Sequence, residues 1–181
     1  YDHMTPISQS GELSRLFTSL QKVRGIGQII VLVVSEPSIE NQAAEKVQTQ
    51  VSQYPSLNVA VVGAPELALI QQRMEQLGLG KLQKEIGLSG YGAIRNMGLA
   101  CAAVLGHDAV VFLDDDETVI DADFMKRATY ALGQQTRQGL PILVKSGYFY
   151  DRDGSPLAPT DKAGICHRWW TKRIEFNRWM K

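Results

Sequence analysis

The chain has 181 residues, 44% apolar and 21% charged, with Lys+Arg and Asp+Glu matched at 19 each. That length suits one domain with a sizeable core. The charge balance leaves no basic excess to hold nucleic acid or an anionic membrane. The longest apolar runs fall well short of the ~20 residues that cross a bilayer, and no leader is visible, so only peripheral membrane association is left open. Cys101 and Cys166 are spaced neither as a metal pair nor as a disulfide framework, which points to a reducing, cytoplasmic compartment.

In chain order, two periods alternate. Leu13, Leu16, Phe17 and Leu20 mark an amphipathic helix, and the apolar run 28–34 reads as a strand buried on both faces. Ile39, Ala43, Val47 and Val51 predict a second helix, 58–62 a second strand ended by Gly63, and Leu67, Ile70, Met74 and Leu77 a short helix. Glycines at 78, 80, 87, 90 and 92 then punctuate a loop. Ile94, Met97, Cys101, Val104 and Leu105 form the stripe of another helix, stopped at Gly106, before a strand at 109–113 and a helix from about Asp121 to Gln138. Unbroken Val/Ile/Leu strands alternating with helices predict an α/β fold, an open and mostly parallel sheet with helices on both faces. After Gly139 the character changes. Residues 142–150 lead into Asp151-Arg152-Asp153-Gly154, a hairpin signal, and Trp169 to Lys181 reads as a terminal helix. The start, Tyr1-Asp2-His3, has no strand before the first helix and the last helix has no stop signal, so residues 1–181 read as one domain that is a fragment.

The strand 109–113 runs straight into Asp114, Asp115 and Asp116. At an effective dielectric of about 20, two carboxylates about 5 Å apart repel by roughly 3 kcal/mol. Such a run is costly at the mouth of a buried strand unless water or a cation faces it. On an extended chain Asp114 and Asp116 point the same way and Asp115 the other. Two converging carboxylates suit Mg²⁺ or Mn²⁺, ions that substrate phosphates usually complete. The plain alternative is a solvated acidic turn. In open parallel sheets the ligand crevice lies at the carboxyl ends of the strands, where these acids sit.

The stretch 90–124, with its glycine loop, Arg95-Asn96 at a helix start, apolar strand and Asp114-Asp115-Asp116, resembles nucleotide-sugar glycosyltransferases of the GT-A fold, most like glycosyltransferase family 2. The resemblance implies a Rossmann-like GT-A sheet and metal-assisted transfer of a sugar from a nucleoside-diphosphate sugar to an unidentified acceptor. It implies that Asp116 binds the metal, that Asp114 holds the ribose or a metal-bound water and shares the metal site, and that Asp115 supports them on the donor side. Arg95 would lie near the base or diphosphate, and Glu36 stands where the family commonly has an Asp that contacts the base. The family's first strand would precede Tyr1, and its acceptor-side part, with the general base, would lie beyond Lys181.

Each residue also has a plainer reading. Arg95 can be a surface ion pair, Glu36 a solvated side chain before Pro37, and Asn96 a local cap or loop tether. Asp151 and Asp153 can be turn residues rather than a base, His167 incidental, and Trp169 with Trp170 core or interface. Lys145 has no assignable role. Asp114 to Thr118 also fits DxDxT, the nucleophile motif of haloacid-dehalogenase-like phosphatases, although that motif normally sits on a first strand. A non-catalytic nucleotide-sugar-binding module is the third reading, favoured by the missing base.

Overall fold

The structure, a computed structural model, describes residues 5–147, 150, 154–157 and 173–179. It is mixed α/β and forms two compact units, 1–132 and 133–181. In the first, α1 (Leu13–Leu20) leads to β1 (Ile29–Leu32), a 3-10 turn at Pro37–Ile39, α2 (Glu40–Val51), β2 (Val59–Val62), α3 (Ala64–Gln76), a 3-10 stretch at Gly80–Glu85, α4 (Tyr91–Val104) and the short α5 (Phe124–Ala128). β1 and β2 pair in parallel with Ile29 opposite Val59 and Leu32 opposite Val62. Among the described residues this open, two-stranded sheet is the whole ladder.

Strand alternation sends side chains to two cores. Ile29, Val31 and Val59 pack against Leu16, Phe17 and Leu20 of α1, with Val119 completing that cluster. Ile30 and Leu32 pack against Val62 and the α4 residues Met97 and Cys101 on the other face, together with Leu67 and Ile70 of α3. Phe17 and Met97 are fully buried and anchor the two cores. Tyr54 stands edge-on to Phe17 at 5.3 Å between ring centroids. Its hydroxyl donates to the Ser14 carbonyl at 2.8 Å.

The start of α3 is fixed by Glu66, whose carboxylate accepts the Gly63 N–H at 2.8 Å, one half of a capping box. The end of α4 is a Schellman turn. Gly106 takes φ +79°, its N–H reaches the Ala103 carbonyl at 3.2 Å, and the His107 N–H reaches the Ala102 carbonyl at 2.9 Å. This turn sends the chain back alongside the sheet toward the acids.

Several elements differ from the sequence reading. Residues 109–113 enter no ladder, and Val110, Val111 and Leu113 are only half-buried. The backbone of this segment makes no hydrogen bond among the described residues. An apolar run becomes a ladder strand only where a neighbouring strand pairs with it, and among the described residues the sheet contains β1 and β2 alone. The run 28–34 is likewise half-buried along Ile29–Leu32, because β1 has a neighbour on one edge alone. The helix expected from Asp121 to Gln138 is confined to Phe124–Ala128. Ala131 at φ +63° and Gly133 at φ +77° are left-handed and cannot continue a right-handed helix.

In the second unit, residues 133–142 double back. Gly133 N–H donates to the Ile142 carbonyl at 2.9 Å and Ile142 N–H to the Gln134 carbonyl at 2.8 Å, beside a single antiparallel bridge between Gln135 and Pro141. A hairpin therefore forms ahead of the Asp-Gly signal. Residues 143–147 have no regular structure, and the helix α6 spans Arg173–Trp179. Tyr1, Asp2, Asp151, Asp153, Cys166, His167, Trp169 and Trp170 lie outside the described residues. No helix among the described residues is long and apolar enough to cross a membrane.

Candidate functional site

The acids sit in a β-turn rather than at the end of a paired strand. Glu117 N–H donates to the Asp114 carbonyl at 3.1 Å, and Asp114 N–H donates to the Glu117 carboxylate at 3.0 Å. Asp115 and Asp116 are the two central turn residues, so the strand alternation that would pair Asp114 with Asp116 does not apply. All three acids nonetheless line one cavity of about 810 Å³, together with Glu12, Ser35, Tyr91 and Arg95.

Arg95 projects from the second turn of α4. Its Nη2 donates to Asp114 Oδ1 at 3.0 Å, with the Arg95 side chain 27% exposed and that of Asp114 66% exposed. The guanidinium lies 5.0 Å from the Tyr91 ring centroid and 4.8 Å from that of Phe112. Two aromatic faces therefore hold the cation, each worth about 0.5–1 kcal/mol at an exposed site. Burial pulls the guanidinium pKa down, but hydrogen bonds to Tyr91 and Asp114 outweigh it and hold the pKa above its ordinary value. Arg95 thus stays charged, and a guanidinium has five donors, more than these contacts use.

Asp115 has the opposite problem. Desolvation is the largest cause that raises its carboxyl above the ordinary carboxylate range, and the negative charges of Asp116, Glu12 and Asp114 add to it. The turn therefore carries an excess of negative charge that Arg95 offsets only at Asp114.

Two residues of α1 brace this turn. Arg15 Nη2 donates to the Asp116 carbonyl at 2.7 Å and is held by Glu12 at 2.9 Å. Ser19 Oγ accepts the Val119 N–H at 3.0 Å. Neither contact is legible in the sequence, since each joins positions about a hundred residues apart and both side chains lie off the apolar stripe of α1. Asn96 is a loop tether, its amide donating to the Glu85 carbonyl at 2.9 Å. Glu36 stands apart: it is exposed, its carbonyl accepts the Ile39 N–H at 3.1 Å, and Ser35 rather than Glu36 lines the cavity.

Mg²⁺ and Mn²⁺ are commonly held by one or two carboxylates with substrate phosphates and water completing the shell. Asp114 and Asp116 place carboxylates of that type at the cavity lining, with Asp114 also paired to Arg95. Among the described residues no group of three or more His, Cys, Asp or Glu side chains converges as a ready-made cage, so such an ion would draw its remaining ligands from phosphate and water. Comparison with protein families, with curated proteins and with solved structures finds no match to this chain.

Proposed function

We propose that this chain is the donor-binding part of a cytoplasmic, metal-assisted glycosyltransferase that takes a sugar from a nucleoside-diphosphate sugar and passes it to an acceptor. The observation that carries the reading is the meeting of 114–116 with Arg95 at one cavity, a cation-attracting turn beside a preorganised guanidinium. A diphosphate needs both kinds of partner. Asp114 and Asp116 would hold Mg²⁺ or Mn²⁺, which supplies Lewis-acid stabilisation of the negative charge on the departing nucleotide. Arg95, braced by Tyr91 and Phe112, would direct its remaining donors at the diphosphate oxygens, for which a planar fork suits better than a point charge. Asp115 would deepen the local negative potential. Glu36, outside the cavity lining, would reach a base only at its margin. The GT-A sheet belongs to the same proposal, supported by the parallel pairing of β1 with β2 and by the course of 109–113 beside them.

Calorimetric titration of UDP and of GDP, with and without Mn²⁺, tests this reading. Binding that needs the metal and is lost in Asp116→Ala is expected. Equal binding with and without metal contradicts it, and so does an aryl-phosphate turnover in the wild type that Asp114→Asn abolishes, which would make Asp114 a phosphatase nucleophile.

A further inference from the structure

Arg95 and Asp114 are paired with one another, and the two partners are held in different ways. Arg95 Nη2 donates to Asp114 Oδ1 at 3.0 Å, with the Arg95 side chain 27% exposed and that of Asp114 66% exposed. The guanidinium faces the Tyr91 ring centroid at 5.0 Å and that of Phe112 at 4.8 Å, so it keeps its place without Asp114. The Asp114 backbone is fixed as well. Its N–H donates to the Glu117 carboxylate at 3.0 Å, and its carbonyl accepts the Glu117 N–H at 3.1 Å. The Asp114 carboxylate, in contrast, is held by Arg95 alone among the described residues. That side chain can turn away into water while the turn and the guanidinium stay where they are.

A carboxylate on a guanidinium uses the same donors that a phosphoryl oxygen would use, and both side chains line the cavity. The contact also occupies the charge and lone pair that Asp114 would need to bind a divalent cation. Its hold is weak. An exposed ion pair favours its closed arrangement by about two- to fivefold, whereas phosphate engages arginine through charge-assisted and often bidentate hydrogen bonds.

We infer that Asp114 is a latch: its carboxylate sits on Arg95 in place of a phosphoryl group, gives way to that group when a diphosphate binds, and is thereby released to a divalent cation. This inference rests on the reading of the site as a diphosphate seat and adds how the two ligands depend on one another. A cation alone meets a carboxylate already compensated by Arg95. A diphosphate alone must displace that carboxylate and then lie beside its freed negative charge. Together they satisfy both groups, so each raises the affinity for the other by the same factor. Asp114 therefore opposes diphosphate binding without metal and supports it with metal.

Titration of the ¹⁵N-labelled full chain with inorganic pyrophosphate tests this reversal of sign, at fixed ionic strength, first in EDTA and then with Mg²⁺. The Arg95 Nε–H and the backbone amides of Tyr91 and Glu117 report binding at the site, and the rest of the amide spectrum reports that each variant is folded. In EDTA, Asp114→Ala should bind pyrophosphate about three- to sixfold more tightly than Asp116→Ala, because the competent fraction of Arg95 rises to one. Asp116→Ala removes an equal charge from the same turn and leaves the latch in place. The gain should vanish when Arg95→Met is added to Asp114→Ala. With Mg²⁺ the order should invert, Asp114→Ala falling below the wild type. A metal-free gain no larger than that of Asp116→Ala, a gain that survives Arg95→Met, or a gain without inversion in Mg²⁺ overturns the latch. Wild-type binding that is indifferent to Mg²⁺ overturns the donor-binding reading together with it. Wild-type binding that Mg²⁺ strengthens, with no gain from Asp114→Ala in EDTA, overturns the latch alone.

Discussion

Replacing Gly98 with alanine tests how α4 sets the position of Arg95. A methyl built on Gly98 would come within 2.7 Å of Phe112 Cε1 and 3.7 Å of Leu32 Cδ1. Carbon atoms prefer about 3.5–4.0 Å, so the ring must retreat by close to 1 Å. In an unobstructed helix interior, Gly→Ala gains about 0.5–1 kcal/mol. Overpacking typically costs about 1–3 kcal/mol, but Phe112 is 38% exposed and can swing toward solvent. That movement separates it from the guanidinium it now faces at 4.8 Å and forfeits about 0.5–1 kcal/mol of cation–π attraction. Gly98→Ala should therefore be neutral to about 1 kcal/mol destabilising in the wild type. In a Phe112→Leu background it should recover the helix gain of about 0.5–1 kcal/mol. Urea unfolding of the four proteins measures a coupling of about 1 kcal/mol between the two sites. Additive effects, with Gly98→Ala equally stabilising in both backgrounds, would refute the packing of Phe112 on Gly98 and with it the account of how Arg95 is held.

Ser19→Ala removes the acceptor of the Val119 N–H, a residue with 9% exposure. It should cost about 1–3 kcal/mol in urea unfolding and weaken metal-dependent nucleotide binding, whereas unchanged stability and binding would show that α1 does not brace the acid turn. Arg24 donates to Asp123 at 2.7 Å and by this hydrogen bond and its charge holds the Asp123 carboxyl below the ordinary range. A depressed folded pKa gives stability that is present above the unfolded value of about 3.9 and lost as pH falls through the folded one. Asp123→Asn should therefore lower the unfolding midpoint slightly at neutral pH, with the difference shrinking in high salt and vanishing in acid. A difference that persists in acid would assign the effect to packing.

The sequence made legible whatever depends on near neighbours. Leu16, Phe17 and Leu20 give α1 its buried stripe, and the unbroken runs at 29–32 and 59–62 give the parallel pair, because a strand apolar on both faces needs cover on both. The run 109–113 has the same composition without the ladder, since pairing depends on a neighbour that composition does not supply. The helix expected after Asp121 runs too far: its last apolar residue is Leu132, and the left-handed backbone at Ala131 and Gly133 turns the chain back. At the candidate site the acids and Arg95 were legible as local motifs, and the structure brings them to one cavity. The bracing by Arg15 and Ser19 and the packing of Phe112 on Gly98 join distant positions through single contacts and leave no periodic trace. Glu36 was suggested by resemblance, and its place outside the cavity lining follows from the extended backbone at Glu36 ahead of Pro37.

The central claim is that the acid turn and Arg95 together take a metal-bound nucleoside diphosphate. The most direct measurement is paramagnetic line broadening by Mn²⁺ in the amide spectrum of the ¹⁵N-labelled chain, with and without UDP or GDP. With nucleotide present, broadening should centre on 114–117, extend to Arg95 and disappear in Asp116→Ala. Broadening that is indifferent to nucleotide, that survives Asp116→Ala, or that centres on another acidic surface would contradict it.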